Sequence, residues 1–176
     1  LHSFPTRRSS DLCENILNRN FKQTEPLKTL CTDITYLYYG RCEKAYLSAI
    51  KDIATGEITA YKISKNITMP LVLETINNLK NKISLNNVLI HSDQGFHYTN
   101  PEYIKLLKDN KVIQSMSRKG NCIDNAPMES FFGHLKDELN YKECKTFEEL
   151  IEKLDDYIYY YNNERYQWSR NKMAPV

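Results

Sequence analysis

Three β-rich segments stand in a row near the start of the chain, and they constrain its fold more than any other feature. They span residues 32–39, 44–50 and 57–64 and are rich in Thr, Ile and Tyr, which favour strands. Short polar connections containing Gly40 and Gly56 separate them, as is typical of antiparallel hairpins. We therefore expect the fold to begin with antiparallel strands.

The rest of the chain alternates between helical and strand patterns. In order, the patterns predict a helix at about 70–82, a strand at 88–90, a helix starting at Asn100-Pro101, a strand at 112–115, a helix at about 124–141 and a helix starting at Thr146. Thr68, Asn100 and Thr146 stand where N-caps are expected, and Thr146 to Glu149 matches a capping box. A hairpin sheet extended in this way predicts a mixed α/β architecture.

The composition excludes several classes of protein. The chain of 176 residues suffices for one domain with a hydrophobic core. No apolar run approaches the ~20 residues that span a bilayer, and we see no signal peptide. The five cysteines include no Cys-x-x-Cys pair, which argues against zinc and redox motifs, and their odd number and wide spacing suit a reducing cytoplasm. A net charge of +2 does not favour nucleic acid, so that case must come from local features.

The first twelve residues differ in character from the rest. Their sequence, LHSFPTRRSSDL, has no helical or strand period, and its last ten residues match the translation of a common sequencing adapter. The alternative is a natural basic arm that touches DNA through Arg7 and Arg8. We favour the adapter and predict one domain at residues 13–176.

Three acidic residues in separate segments are the candidate catalytic and metal-binding groups. Asp33 lies inside the first strand, Asp93 ends the strand at 88–90, and Glu129 lies in the helix at about 124–141. A carboxylate inside a strand is costly to bury unless something pairs with it. Oxygen ligands without Cys or His suit Mg²⁺ or Mn²⁺ rather than zinc.

The periodicity of the third helix places Glu129 on a polar stripe beside the core. Met128, Phe132, Leu135 and Leu139 form its apolar stripe, and Glu129, Gly133, Lys136 and Asn140 form a second stripe roughly 80–100° away. Glu129 can thus reach a site at the end of a strand. Lys136 lies two turns further on the same face, where it could meet a phosphate, and Gly133 leaves room for a DNA backbone.

The segments around these acids resemble the motifs of integrase-like transposases. LCTDITY at 30–36 resembles the first motif, and HSDQG at 91–95 followed by Tyr98 resembles the second. GN at 120–121, DNA at 124–126, ESFF at 129–132 and LK at 135–136 resemble the third, and YNNER at 161–165 the last. Thirty-five residues separate Asp93 from Glu129, the gap characteristic of the family. The match runs from residue 15 to the end.

This resemblance, to the bacterial insertion-sequence three family and to retroviral integrase, implies a fold and a function. The fold is a ribonuclease-H-like mixed sheet flanked by helices. The function is that of a DDE transposase catalytic core, a polynucleotidyl transferase that nicks the ends of a mobile element and performs strand transfer. Two Mg²⁺ or Mn²⁺ ions held by Asp33, Asp93 and Glu129 would serve the chemistry. The partners would be element ends, target DNA and further copies of the chain.

Other residues near the motifs carry weaker expectations. Arg118 and Lys119 belong to a polar loop, and we favour DNA contact over simple solvation for both, whereas Lys136 is evenly balanced between solvent and phosphate. Asn125 supports the entry of the chain into the helix, with a role in the active site as the sharper option. We expect His91 to be a structural histidine rather than a metal ligand.

Two further functional hypotheses remain open at this point. One is a catalytically inactive DNA-binding or oligomerisation remnant of a mobile element, against which the three intact acids argue. The other is a ribonuclease-H-type nuclease, against which the 35-residue gap and the segment 161–165 argue. The family usually has a tryptophan near Thr29-Leu30, which is absent here. Its members also carry a helix-turn-helix region ahead of the core, so we expect this chain by itself to bind DNA weakly and without sequence preference.

Overall fold

In the part of the chain that the structure describes, five strands and four α-helices follow one another in the order that the sequence predicts. The computed structural model describes residues 13–118, 122–167 and 173–176, with the backbone alone for Cys122 and Ile123. The strands are β1 (Thr29–Tyr39), β2 (Glu43–Asp52), β3 (Ile58–Ser64), β4 (Leu89–Ser92) and β5 (Ile113–Met116). The helices are α1 (Met69–Lys80), α2 (Pro101–Asp109), α3 (Ala126–Glu138) and α4 (Phe147–Asn163).

The strands form a single mixed sheet in the order β3-β2-β1-β4-β5. β1 pairs antiparallel with β2 and β2 with β3, which confirms the two predicted hairpins. β1 pairs parallel with β4, and β4 pairs parallel with β5. The long central strand β1 therefore joins the antiparallel half of the sheet to the parallel half.

Each face of the sheet is covered by two helices. On one face, Leu37 and Leu47 pack with Phe131 of α3 and Leu154 of α4. On the other face, Leu30 and Ile90 pack with residues of α1 and α2, among them Ile76 and Leu107. Alternate residues of β1 thus enter different cores, as the period of a strand buried on both sides requires. Among the described residues, no helix is long and apolar enough to cross a membrane.

The helix starts agree with the predicted caps at two positions of three. The Asn100 side chain accepts a hydrogen bond from the backbone N–H of Glu102, and the Thr146 hydroxyl accepts one from that of Glu149. Thr68 occupies the N-cap position of α1, but its side chain makes no capping bond. Pro70, which has no N–H, removes one of the donors that Thr68 could use, and the Leu71 N–H bonds the Thr68 carbonyl instead.

The helix that carries Glu129 is shorter than the prediction of residues 124–141. Cys122–Asn125 form a 3₁₀ turn, α3 begins at Ala126, and the backbone at Leu139 is extended. The apolar stripe is nevertheless as predicted, because Met128, Phe132, Leu135 and Leu139 are all buried. Residues 1–12 lie outside the described residues, so the adapter hypothesis stays a prediction.

Candidate active site

The parallel pairing of β1 and β4 brings Asp33 and Asp93 to the same end of the sheet. The register places Cys31 opposite His91. Asp33 and Asp93 each follow two residues later, Asp33 still within β1 and Asp93 just beyond the end of β4. Ligands of open α/β sheets commonly bind at this carboxyl end of parallel strands.

Two hydrogen bonds attach the start of α3 to the strands beside Asp33. The Asn125 amide donates to the Thr32 carbonyl at 3.3 Å, and the Lys51 ammonium donates to the Pro127 carbonyl at 3.3 Å. Glu129 lies in the first turn of this helix and is exposed. The acid contributed by α3 is therefore held near the acid contributed by β1. The side-chain oxygen of Asn125, Oδ1, is buried and has no hydrogen-bond partner among the described residues.

The charges of Asp93 and Glu129 both act on the carboxyl of Asp33. Burial raises the pKa of the Asp33 carboxyl to about 7, a hydrogen bond from the Ile34 N–H opposes the shift, and the negative charges of Asp93 and Glu129 add to it. Within the described part of the chain, none of the three acids forms an ion pair. The site thus concentrates negative charge and leaves it without a cation from the protein.

Asp93 is held by a turn rather than by a charged partner. Its carboxylate accepts a hydrogen bond from the Gly95 N–H at 2.8 Å, which is the turn-capping role that the sequence allows. A Cβ at Gly95 would lie 2.8 Å from the same carboxylate oxygen. Glycine is therefore needed at this position for Asp93 to keep its orientation.

The donor set fits a hard divalent cation, although the side chains are not gathered around one. Asp33, Asp93 and Glu129 offer oxygen ligands only, and their mutual repulsion is what a divalent cation would relieve. In the ranges that the structure describes, however, no three His, Cys, Asp or Glu side chains are arranged closely enough to hold a metal ion. The structure brings the acids to one region without forming a finished coordination shell.

The predicted DNA-contacting residues have different surroundings. The Lys136 ammonium lies 4.9 Å from the centre of the Tyr36 ring on β1, and within the described ranges it forms no ion pair. The Arg118 guanidinium donates to the side-chain oxygen of Asn18 at 2.9 Å and lies 3.5 Å from the Asp124 carboxylate. Lys119 falls outside the described residues.

Asp124 forms a buried clamp that the sequence pattern did not indicate. Its side chain is 0% exposed and accepts hydrogen bonds from Arg19, from the Asn15 amide and from the Arg118 backbone N–H. Burial alone would raise the pKa of Asp124, but the Arg118 N–H and the Arg19 side chain outweigh it and hold the pKa below its usual value. The clamp ties the segment around Arg19 to the chain just before α3.

His91 is a structural histidine, as expected. It is buried, and its two ring nitrogens lie 2.9 and 3.1 Å from the hydroxyls of Ser115 and Ser117. Burial lowers the pKa of His91, while the charge of Asp124 opposes this shift. A neutral ring whose nitrogens are both engaged with hydroxyls has no free position for a metal.

Comparisons with known proteins agree with this architecture. Two family models, both described as integrase core domain, match residues 23–122 and 129–176. The chain therefore belongs to the integrase core domain family.

Relatives of known sequence show which proteins of this family the chain resembles. The chain is 39% identical over 168 residues to an uncharacterized transposase-like protein of Haemophilus influenzae, covering 94% of this chain and 76% of that protein. It is 38% identical over 165 residues to the putative transposase InsK for insertion sequence element IS150 of Escherichia coli, covering 92% of this chain and 58% of the relative. These similarities confirm the predicted resemblance to insertion-sequence transposases.

Solved structures confirm the predicted fold. The HTLV-2 integrase catalytic core domain in complex with magnesium has a TM-score of 0.62 and 18% identity, over 87% of this chain and 96% of that one. The catalytic core domain of BIV integrase has a TM-score of 0.64 and 17% identity, over 85% and 91%. The ribonuclease-H-like mixed sheet with flanking helices is thus the fold of this chain.

Proposed function

We propose that this chain is a DDE transposase catalytic core that cleaves DNA strands and joins the resulting ends to target DNA. The observation that carries the proposal is the placement of Asp33, Asp93 and Glu129. They come from three separate elements, the charges of Asp93 and Glu129 add to the raised pKa of Asp33, and none of the three has a basic partner among the described residues. An acid with a raised pKa at the end of a sheet is typical of functional sites.

We infer that Asp33, Asp93 and Glu129 together would hold two Mg²⁺ or Mn²⁺ ions. When bound, such ions neutralise charge on the attacking and leaving oxygens of an in-line phosphodiester displacement. The HTLV-2 relative of similar fold was solved with magnesium, which supports the choice of metal. The water or 3′-hydroxyl attacks directly, so no Ser or Tyr of the chain is needed as a covalent nucleophile.

The chain's own contribution is positioning. The Ile34 and Gly95 N–H groups orient the carboxylates of Asp33 and Asp93. The bonds of Asn125 and Lys51 fix the start of α3 and thereby the position of Glu129. Correct placement of reacting groups accounts for a large share of the rate in reactions of this kind.

DNA would approach along the exposed face of α3. A Cβ at Gly133 would meet nothing within 4 Å, so this face offers room for a phosphate backbone. Lys136 follows on the same face, where its charge would meet a phosphate next to the acids. A homo-oligomeric complex on DNA is part of the proposal, supported by the dimeric and trimeric forms solved for the HTLV-2 relative.

Metal-dependent nicking and strand transfer with oligonucleotide ends is the experiment that tests this function. Asp33→Asn, Asp93→Asn and Glu129→Gln should each abolish activity with Mg²⁺ or Mn²⁺ while the fold is kept. Asp137→Asn, an exposed acid on the same helix as Glu129, is the matched control and should stay active. Normal nicking by any of the three active-site variants would remove that residue from the site.

A further inference from the structure

Two exposed tyrosines on β1 form a surface with two lysines close to the proposed active site. Tyr36 is 48% and Tyr38 40% exposed, although tyrosines in strands usually pack against a neighbour. Their rings meet edge to face with centres 5.4 Å apart. The Lys44 ammonium lies 5.2 Å from both ring centres, and the Lys136 ammonium lies 4.9 Å from Tyr36. We call these four residues the tyrosine–lysine patch.

Lys136 of α3 connects the patch with the helix that carries Glu129. Tyr36 is three residues beyond Asp33 on the same strand, about 10 Å along it, and this odd spacing turns the two side chains to opposite faces of β1. β4 pairs with β1 only as far as Cys31, so no described strand flanks the following part of β1 on that side, and Lys136 reaches Tyr36 from α3. A DNA strand that leaves the acids along α3 would reach the patch at Lys136, beside this open edge of β1.

We propose that the tyrosine–lysine patch binds unpaired nucleotides of the DNA strand that leaves the active site. This inference rests on the proposed function, because it assumes that DNA is the substrate. Exposed aromatic rings combined with cations are the pattern by which proteins hold single strands, with bases stacking on the rings and phosphates meeting the charges. Duplex DNA offers no free base faces, so rings of this kind favour unpaired nucleotides.

The charge of the patch favours DNA over a second copy of the chain as occupant. Both charged groups that contact the rings are lysines, and they would bring like charges together in a symmetric contact. Phosphates of a single strand complement these charges and release counterions on binding.

Fluorescence anisotropy in EDTA is the test, since binding without metal separates the patch from catalysis. The probes are a labelled oligothymidylate and a duplex of the same length at one fixed salt concentration. Tyr36→Leu combined with Tyr38→Leu keeps apolar side chains in the strand and removes both rings. We expect this variant to bind the single strand about tenfold more weakly and the duplex less than about twofold more weakly.

Tyr159→Leu is the matched control, because Tyr159 is 63% exposed on α4 and no lysine of the described residues lies over its ring. It should bind both probes like the parent chain. Lys44→Met, which leaves both rings in place, should weaken single-strand binding and reduce its salt dependence by roughly one counterion.

Four results would overturn the patch: equal losses for Tyr159→Leu and the double variant, unchanged single-strand binding, equal losses on both probes, or a change in oligomeric state without a change in DNA binding. The proposed function is tested separately. Asp33→Asn should bind the single strand normally while losing cleavage. A parent chain that binds single strands through the patch yet never cleaves DNA would refute the function and leave the patch standing.

Discussion

Asp33 is half-buried and Asp124 fully buried, and the pKa values of these two aspartates are shifted in opposite directions. Burial raises the pKa of Asp33 to about 7, and the neighbouring charges of Asp93 and Glu129 add to this effect. Burial acts on Asp124 in the same direction, but the N–H of Arg118 and the side chain of Arg19 reverse it. The difference lies in the partners, since burial acts in the same direction on both carboxyl groups.

The comparison shows how one fold uses buried carboxylates for two purposes. Asp124 has its cations within the chain and serves as a clamp, because a paired and hydrogen-bonded charge can be buried at little net cost. Asp33 has no such cation in the described part of the chain, so its charge destabilises the fold until a cation arrives from outside. A buried acid that lacks a partner therefore points to a ligand, and one that has partners points to structure.

The largest expected effect is the pH dependence of stability caused by Asp33 in metal-free buffer. A carboxyl whose pKa is raised in the folded state stabilises the fold below its ordinary pKa of 3.8 and loses that contribution as the pH rises through about 7. Relative to Asp33→Asn, the parent chain should lose about 3 kcal/mol of unfolding free energy between about pH 5 and about pH 8. Urea titrations in EDTA at the two pH values measure this difference.

Asn suits this comparison because its side-chain oxygen can still accept the Ile34 N–H bond. Parallel pH curves for the parent and Asp33→Asn would show that Asp33 is not held protonated by its surroundings. Saturating Mg²⁺ should reduce the gap between the two, since a bound cation favours the ionised carboxylate.

The second-largest expected effect is the loss of stability when the buried clamp at Asp124 is broken. Asp124→Asn places an amide N–H₂ against at least one of the donors that now bind the carboxylate, and it leaves Arg19 without its counter-charge. We expect a loss of about 2 kcal/mol of unfolding free energy, because both arginines are partly exposed and water can take over some of their bonds. Denaturation by urea measures it, with Asp137→Asn as the surface control. A loss within the error of that control would mean that the clamp has no role in stability.

Gly95 tests whether the turn holds Asp93 in place, and Gly133 is the comparison at a position where a methyl group meets nothing. Gly95→Ala puts a methyl group against the Asp93 carboxylate and should lower metal-dependent cleavage by about tenfold or more, with little change in stability, because the displaced group is a side chain. Gly133→Ala meets open space in α3 and should raise stability by about 1 kcal/mol. Full activity of Gly95→Ala would show that the orientation of Asp93 does not matter.

The sequence predicted the fold well because the signals for its elements are local. Strand composition, apolar periodicity and the caps at Asn100 and Thr146 gave the correct order of strands and helices. The ends of α3 were wrong by two or three residues, since Asp124 and Asn125 bond distant groups instead of continuing the helix.

Spacing and motifs select Asp33, Asp93 and Glu129, whose catalytic role stays a prediction, whereas no sequence pattern selects the residues that support them. Lys51 bonds the carbonyl of Pro127 from 76 residues away, and Arg19 bonds Asp124 across 105 residues. No local sequence pattern predicts such pairs, because the two partners meet only in the folded chain. Asp124 itself stands beside Asn125 in a recognised motif, so this position in the motif was the one available signal.

Lys136 gives the smallest expected effect and extends the comparison from the carboxylates to the basic side chains. The arginines at Asp124 are tied to a carboxylate, whereas Lys136 contacts the Tyr36 ring and forms no ion pair within the described ranges. Its charge is thus free for a phosphate. Lys136→Ala should cost less than about 1 kcal/mol of stability, since a cation–π contact at an exposed site is worth about that much. It should lower the slope of log affinity against log salt by roughly one on duplex DNA.

The matched control is Lys105→Ala, because Lys105 is paired with Asp109 on α2 and its loss should leave the slope unchanged. Titrations of labelled duplex at several salt concentrations measure both variants, and equal slopes for the parent and Lys136→Ala would mean that this lysine faces only solvent and Tyr36.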